Sequence, residues 1–238
     1  MINIKRLFFV FSFFTCFFIS NTTQAQKINQ FNSNKKRTGV WKKYYPNKRI
    51  RYVGTFKNGK EVGVFKFYDI TTSEHPVILK TFFETNDSVF VQFFNTKGKL
   101  QSEGVLDGKK RVGGWQYYFP NGEIMSEENY KNGKLDGELL NYYPNGQVTE
   151  FTEYKNGLKN GVSRKYSSKG ILIEEVFYKN GKPNGLAKYF ELNGDLKETG
   201  HYKDGKRIGK WEFYLDGEIA TEKDKKNNKS TYSRKKEN

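Results

Sequence analysis

The sequence predicts an all-β chain, an elongated single-layer antiparallel sheet of about seven to eight tandem 24-residue β-hairpin repeats. Three observations predict it. Glycines recur at one interval: Gly113, Gly137, Gly161, Gly185 and Gly209 stand 24 apart, as do Gly98, Gly122, Gly146, Gly170 and Gly194. Pro-Asn-Gly at 120–122 and 144–146, and Lys-Asn-Gly at 131–133, 155–157 and 179–181, are turn sequences, because Asn and Gly accept positive φ cheaply. The segments between are rich in aromatic and β-branched residues, hold no 3.6 period, and meet a Gly or Pro about every ten residues.

Taken in order, the chain opens with the layout of a secretory signal peptide over 1–25. Lys5 and Arg6 precede an apolar run from Leu7 to Ser20, and Thr23 and Ala25 occupy the small positions before a cut at Gln26. Fourteen residues are too few for a spanning helix, which needs about 18 or more. The single cysteine, Cys16, lies inside this segment, so the processed chain has no thiol, disulfide or cysteine metal ligand.

Residues 26–37 read as a lead-in and 38–221 as the repeat array. Gly63 is an early closing glycine, fifty residues before Gly113, leaving room for two units with a small insertion around "DITTSEHPV". Five residues past each closing position stands a ring: Tyr44, Tyr68, Phe94, Tyr118, Tyr142, Tyr166, Phe190 and Tyr214. An aliphatic follows the other turn at Ile50, Leu100, Ile124, Val148, Leu172, Leu196 and Ile219. From Ile124, Val148, Leu172 and Leu196 it is six residues to Tyr130, Tyr154, Tyr178 and Tyr202, an even spacing expected to put both on one face. The last segment, 222–238, has seven Lys/Arg against three Asp/Glu and reads as a basic disordered tail.

One hairpin is marginal in water, whereas stacked hairpins bury ring against ring and extend a single sheet. About fifteen strands at about 4.8 Å each give a ribbon roughly 70 Å long. Hydrophobic content of 35% with 17% aromatics suits such a thin structure better than a thick core.

Units such as "GWQYYFPNGEIMSEENYKNGKLDG" (114–137) and "GKWEFYLDGEIATEKD" (209–224) resemble MORN repeats, in the variant form also found in bacterial YwqK-like antitoxins. The resemblance covers 38 to 221 and departs from the pattern where Val89 replaces the closing glycine. It implies an elongated single-layer sheet, with scaffolding, self-association and some lipid contact as the functions of such arrays.

No residue pattern announces a chemistry. His75 and His201 are the only histidines, and no His/Cys/carboxylate cluster has metal-ligand spacing. No nucleotide-binding loop is present, and "DGKKRVGGW" (107–115) occupies an ordinary turn slot. Glu127-Glu128 and Glu174-Glu175 are adjacent strand residues, so each pair points to opposite faces and cannot form a two-carboxylate site. The expectation is therefore no catalytic, cofactor-binding or metal residue and no cofactor.

The favoured reading is an exported, non-catalytic scaffold of the cell envelope, periplasmic, outer-membrane-associated or secreted, with an unidentified protein partner. Its candidate interaction surface is Trp41, Tyr44, Trp115, Tyr118, Tyr142, Tyr166, Phe190, Trp211 and Tyr214. The net charge of +16 supports a second reading, a binder of an anionic glycan, lipid head group or envelope polymer. A third is an antitoxin or immunity role. Export disfavours nucleic acid, and self-association stays open.

Overall fold

The computed structural model describes residues 27–83 and 87–221; the expected signal peptide and the basic tail lie outside the described residues. Among the described residues, seventeen strands form one antiparallel sheet in which spatial neighbours are also sequence neighbours. They are β1 (Gln30–Phe31), β2 (Arg37–Tyr44), β3 (Ile50–Lys57), β4 (Lys60–Tyr68), β5 (Pro76–Phe82), β6 (Ser88–Phe94), β7 (Leu100–Asp107), β8 (Lys110–Tyr118) and β9 (Ile124–Lys131). The array continues with β10 (Lys134–Tyr142), β11 (Val148–Lys155), β12 (Leu158–Tyr166), β13 (Leu172–Lys179), β14 (Lys182–Phe190), β15 (Leu196–Lys203), β16 (Lys206–Leu215) and β17 (Glu218–Ile219). The all-β, single-layer antiparallel fold expected from the repeats is the fold of the chain.

Turn chemistry fixes both long edges of the ribbon. Along one, Asn132, Asn156, Asn180 and Asp204 take φ of 53°, 52°, 50° and 49° and are each followed by a positive-φ glycine, the two-residue turn that matches strand twist. These glycines also sew the hairpins together. Gly133, Gly157, Gly181 and Gly205 each donate a backbone N–H to the preceding hairpin, on the carbonyls of Arg111, Leu135, Lys159 and Pro183 at 2.7–3.0 Å. Along the other edge, the loops staple themselves to the next loop through side chains. The Tyr143 hydroxyl donates to the Tyr166 carbonyl at 3.1 Å and Asn145 Nδ2 to the Ser168 carbonyl at 3.3 Å, as Tyr45 and Asn47 do to Tyr68 and Ile70.

The lead-in is an end cap for the ribbon. Asn29 donates its N–H to the Val40 carbonyl at 2.9 Å and accepts the Lys42 N–H on Oδ1 at 2.8 Å, while Phe31 meets the Trp41 ring edge-on at 5.1 Å. Solenoid-like arrays need such caps, since the terminal unit has no neighbour to cover its apolar side.

One sequence expectation is corrected. Val148 and Tyr154, six apart, are on opposite faces. Asn141 pairs with Glu150 and Tyr142 with Val148, so two residues of β11 oppose one of β10. That bulge resets the alternation of side chains, and simple counting by twos fails across it. The same step recurs at Tyr117/Tyr118, Lys165/Tyr166 and Tyr189/Phe190.

Candidate interaction faces

Residues directly opposite in an antiparallel ladder share a face, and following the register from strand to strand separates two rows of side chains. On one face, here the Trp face, the central row holds Trp41, Phe65, Val91, Trp115, Leu139, Ser163, Ala187 and Trp211. This row is the core of a sheet that has no second layer: Phe65 and Trp115 are 1% exposed and Ala187 is fully buried.

The row is packed by volume exchange. Each large ring lies on a glycine of the adjacent strand: an added Cβ on Gly54, Gly104 or Gly200 would come within 2.2–2.4 Å of Phe65, Trp115 or Trp211. Where the slot is small the partner is larger. Ala187 faces Val176 on one side and, on the other, Gly200, which Trp211 already covers. Ser163 faces Val176 on one side and Thr152 on the other, with the two hydroxyls of Ser163 and Thr152 2.7 Å apart.

Beside this row runs a second line of rings. Phe56, Tyr130 and Tyr202 meet Trp41, Trp115 and Trp211 edge-on, with centroids 5.8, 6.4 and 5.1 Å apart. A guanidinium covers each tryptophan: Arg37 at 4.8 Å, Arg111 at 4.6 Å and Arg207 at 3.9 Å from the ring centroid. Reading the repeats for rings alone misses these arginines. Their signal is present in the sequence as "RTGVW" (37–41), "RVGGW" (111–115) and "RIGKW" (207–211), an arginine four residues before every tryptophan. In a unit without tryptophan, Lys159 takes the place, 5.3 Å from the Tyr178 ring and 3.0 Å from Glu150.

The opposite, Tyr face carries a polar central row. Gln92 donates to Glu103 at 2.9 Å, Gln116 to Glu127 at 3.0 Å, and Arg164 pairs with Glu175 at 2.7 Å. The ring row aims its hydroxyls inward to this line: Tyr118 donates to Glu103 and Tyr142 to Glu127, each at 2.6 Å, and Tyr214 donates to Glu212 at 3.1 Å. Burial first, and then the hydrogen bond to a carboxylate, pushes the Tyr118 and Tyr142 hydroxyls up to about 12. They stay neutral donors at any physiological pH. Farther along, Leu140, Val148, Phe151 and Tyr166 line a shallow apolar hollow with Arg164 at its side.

The nine residues expected to form one surface are therefore divided. Trp41, Trp115 and Trp211 are on the Trp face, with Trp115 buried beneath Arg111. Tyr44, Tyr118, Tyr142, Tyr166, Phe190 and Tyr214 are on the Tyr face, where Tyr44 is 48% exposed. Glu127 and Glu128 do point apart, the first opposite Gln116 and the second opposite Trp115. His201 is an exposed strand residue opposite Leu186 and Ile208, and His75 lies against the Gly98 turn, far along the chain from it.

The MORN repeat variant matches the chain at residues 37–58, 111–132, 135–156, 159–180 and 183–204. No curated protein matches it at a significant level. Each matched stretch begins four residues before a central slot of the Trp face and ends on or just past a Lys-Asn or Lys-Asp turn, so the matched unit is the packing unit seen in the sheet. The chain thus carries five repeats of the MORN variant type.

Proposed function

We propose that the chain is an exported, non-catalytic scaffold of the cell envelope that binds a protein through its Tyr face. The observation that supports this reading is the contrast between the faces. The Trp face buries its own central row under flanking rings and cations, whereas the Tyr face leaves a long ring row half-covered, with no second layer of described residues over it. Half-exposed rings with fixed hydroxyls give large contact area at low entropic cost, which is the chemistry of protein-binding surfaces. The hollow of Leu140, Val148, Phe151 and Tyr166 is the natural anchor point. The basic, apolar and small-residue order of the first 25 residues supports export.

The test uses the full chain with a C-terminal epitope tag, expressed in its own host. Fractionation is expected to find a shortened chain in the envelope; a full-length chain confined to the cytosol overturns the export part. Capture from envelope extract at high salt is expected to retain one protein stoichiometrically. The triple variant Tyr118→Ser, Tyr142→Ser, Tyr166→Ser is expected to lose it and a Trp-face variant, Lys159→Gln, to keep it. Equal capture by both overturns the assignment to the Tyr face.

A further inference from the structure

The two long edges of the ribbon differ in charge in a way that the sheet does not require. On the edge built by the two-residue turns, lysines stand directly opposite each other: Lys131 with Lys134, Lys179 with Lys182, and Lys203 with Lys206. The neighbouring turns of the same run add Lys110 and Lys155, and all these residues are exposed. None of them forms an ion pair with another described residue. The acidic residues on this edge are fewer, and two are engaged, Asp136 accepting the Asn156 N–H at 2.9 Å and Asp204 the Asn184 amide at 3.4 Å. The other edge mixes signs, with Glu123, Glu191 and Asp195 among Lys99, Lys169 and Lys197.

Stability does not explain the lysine edge. Like charges directly opposite on a ladder are destabilising. Protection of an open strand edge does not explain it either, because the open strands are at the two ends of the ribbon and these lysines sit on closed turns. Solubility is served as well or better by acidic residues. What the arrangement does provide is a repeated cationic station about 9.6 Å apart, two strand spacings, along five successive turns. That interval is close to the Debye length at physiological salt, so stations barely repel one another yet act together on one polymer.

From this we infer that the Lys-Asn-Gly-Lys edge binds a linear acidic polysaccharide, lying along the turns and held through its charges. The site is independent of the protein-binding face proposed above. The edge itself holds Lys, Asn, Asp and Gly, one leucine, Leu158 opposite Lys155, and no ring, so it has no platform for stacking bases as single-stranded nucleic acids require. A sheet turning by its ordinary 20–25° per strand winds this edge around the ribbon axis. A flexible chain can follow that path, whereas a flat membrane touches only a few stations at once.

The experiment measures binding of the full chain to fluorescein-labelled heparin by anisotropy across a salt series. Uncharged dextran, oligo-dT, and vesicles of phosphatidylcholine with one-third phosphatidylserine serve as the other arms. Wild type is expected to bind heparin with steep salt dependence, not dextran, and more tightly than oligo-dT or vesicles. The edge variant Lys134→Gln, Lys182→Gln, Lys206→Gln is expected to bind heparin at least about tenfold more weakly. A charge-matched variant on the other edge, Lys48→Gln, Lys97→Gln, Lys169→Gln, is expected to change it less than about twofold. Because each edge substitution also removes a like-charge pair, the edge variant is expected to unfold at the same or higher urea concentration, and Lys→Arg at the same three sites to restore binding. Equal losses in the two variants mean that net charge alone is read and overturn the proposal, as do tighter binding to oligo-dT or vesicles and no heparin binding at low salt.

Discussion

The units with a large ring in the central slot and the three units spanning β10 to β14 solve one burial problem in opposite ways. In the first kind, Phe65, Trp115 or Trp211 fills the row and the neighbouring strand offers Gly54, Gly104 or Gly200 beneath it. In the second, Leu139, Ser163 and Ala187 leave room, and Glu128, Thr152 and Val176 fill it from the neighbouring strand. The closing glycine differs with them. Gly39, Gly63, Gly113 and Gly209 hold φ of 65–68°, with open space where a Cβ would go. Gly137, Gly161 and Gly185 hold 116–124°, pressed against Asn129, Glu153 and Phe177. The same repeat text thus runs over two local geometries, and what is conserved between them is the filled volume of the row rather than the residue in the slot.

The largest effect expected from breaking this comparison is at the slot itself. Trp115→Ala removes a ring that is 1% exposed and leaves Gly104 uncovered, so a loss of about 3–5 kcal/mol is expected in urea unfolding. The reverse exchange sharpens it. Ala187→Trp in a small-slot unit meets Val176 on the strand before it, and Gly200 on the strand after it is already covered by Trp211, so the substitution is expected to cost about 1–3 kcal/mol. Adding Val176→Gly is expected to recover part of that loss, since it recreates the ring-on-glycine pair; a double variant no better than the single one ends the volume-exchange account.

The closing glycines come next. Asn accepts φ near 60° but not near 120°. Gly161→Asn is therefore expected to cost about 1–3 kcal/mol, and Gly113→Asn less than about 1 kcal/mol, with local hydrogen exchange of the bordering strands as the readout. Equal costs would mean that the two bulge geometries are not distinct in solution.

The smallest effect is electrostatic and confined to a small-slot unit. Burial raises the Glu150 carboxyl, but the hydrogen bonds from Lys159 and Thr152 outweigh it and hold the group below its ordinary value of 4.5. A carboxyl lowered by folding contributes stability that is present above that value and lost as pH falls through the folded value. With about a quarter of each side chain exposed, the pair is expected to contribute less than about 1 kcal/mol. Glu150→Gln should flatten the decline of stability below pH 4.5 without changing the neutral-pH slope of unfolding.

Where the chain departs from the repeat text, the sheet persists. No family match covers 59–110, yet β5 and β6 pair in unbroken register from Ile78 opposite Phe93 to Phe82 opposite Val89. With Val89 in the glycine position the hairpin simply lacks the closing bulge that its neighbours have. Strand pairing was legible in the sequence even here, because alternation and turn residues survive the loss of the motif glycine. The division of the candidate residues was legible too, since Trp41 and Tyr44, Trp115 and Tyr118, and Trp211 and Tyr214 are three apart within one strand and alternation puts each pair on opposite faces. What was not legible is which side chains of the next strand join them, because counting by twos from Ile124 or Val148 assumes an unbroken pleat and the bulge beside it reverses the answer. Nor do the arginines over Trp41, Trp115 and Trp211 appear in a search restricted to rings, although the four-residue spacing was visible throughout.

By itself, the sequence determined the strands, the turns and their 24-residue beat, since each follows from φ preferences and β-propensity acting within a few residues. It also determined the positive edge, because lysines flanking a two-residue turn have nowhere else to project. Tertiary structure alone decided which side chains of neighbouring strands share a face and which rings are covered. That decision depends on bulges formed between strands and on the volume offered by a neighbour some 11 residues away, as Gly104 offers it to Trp115, and neither quantity belongs to any single segment of the chain.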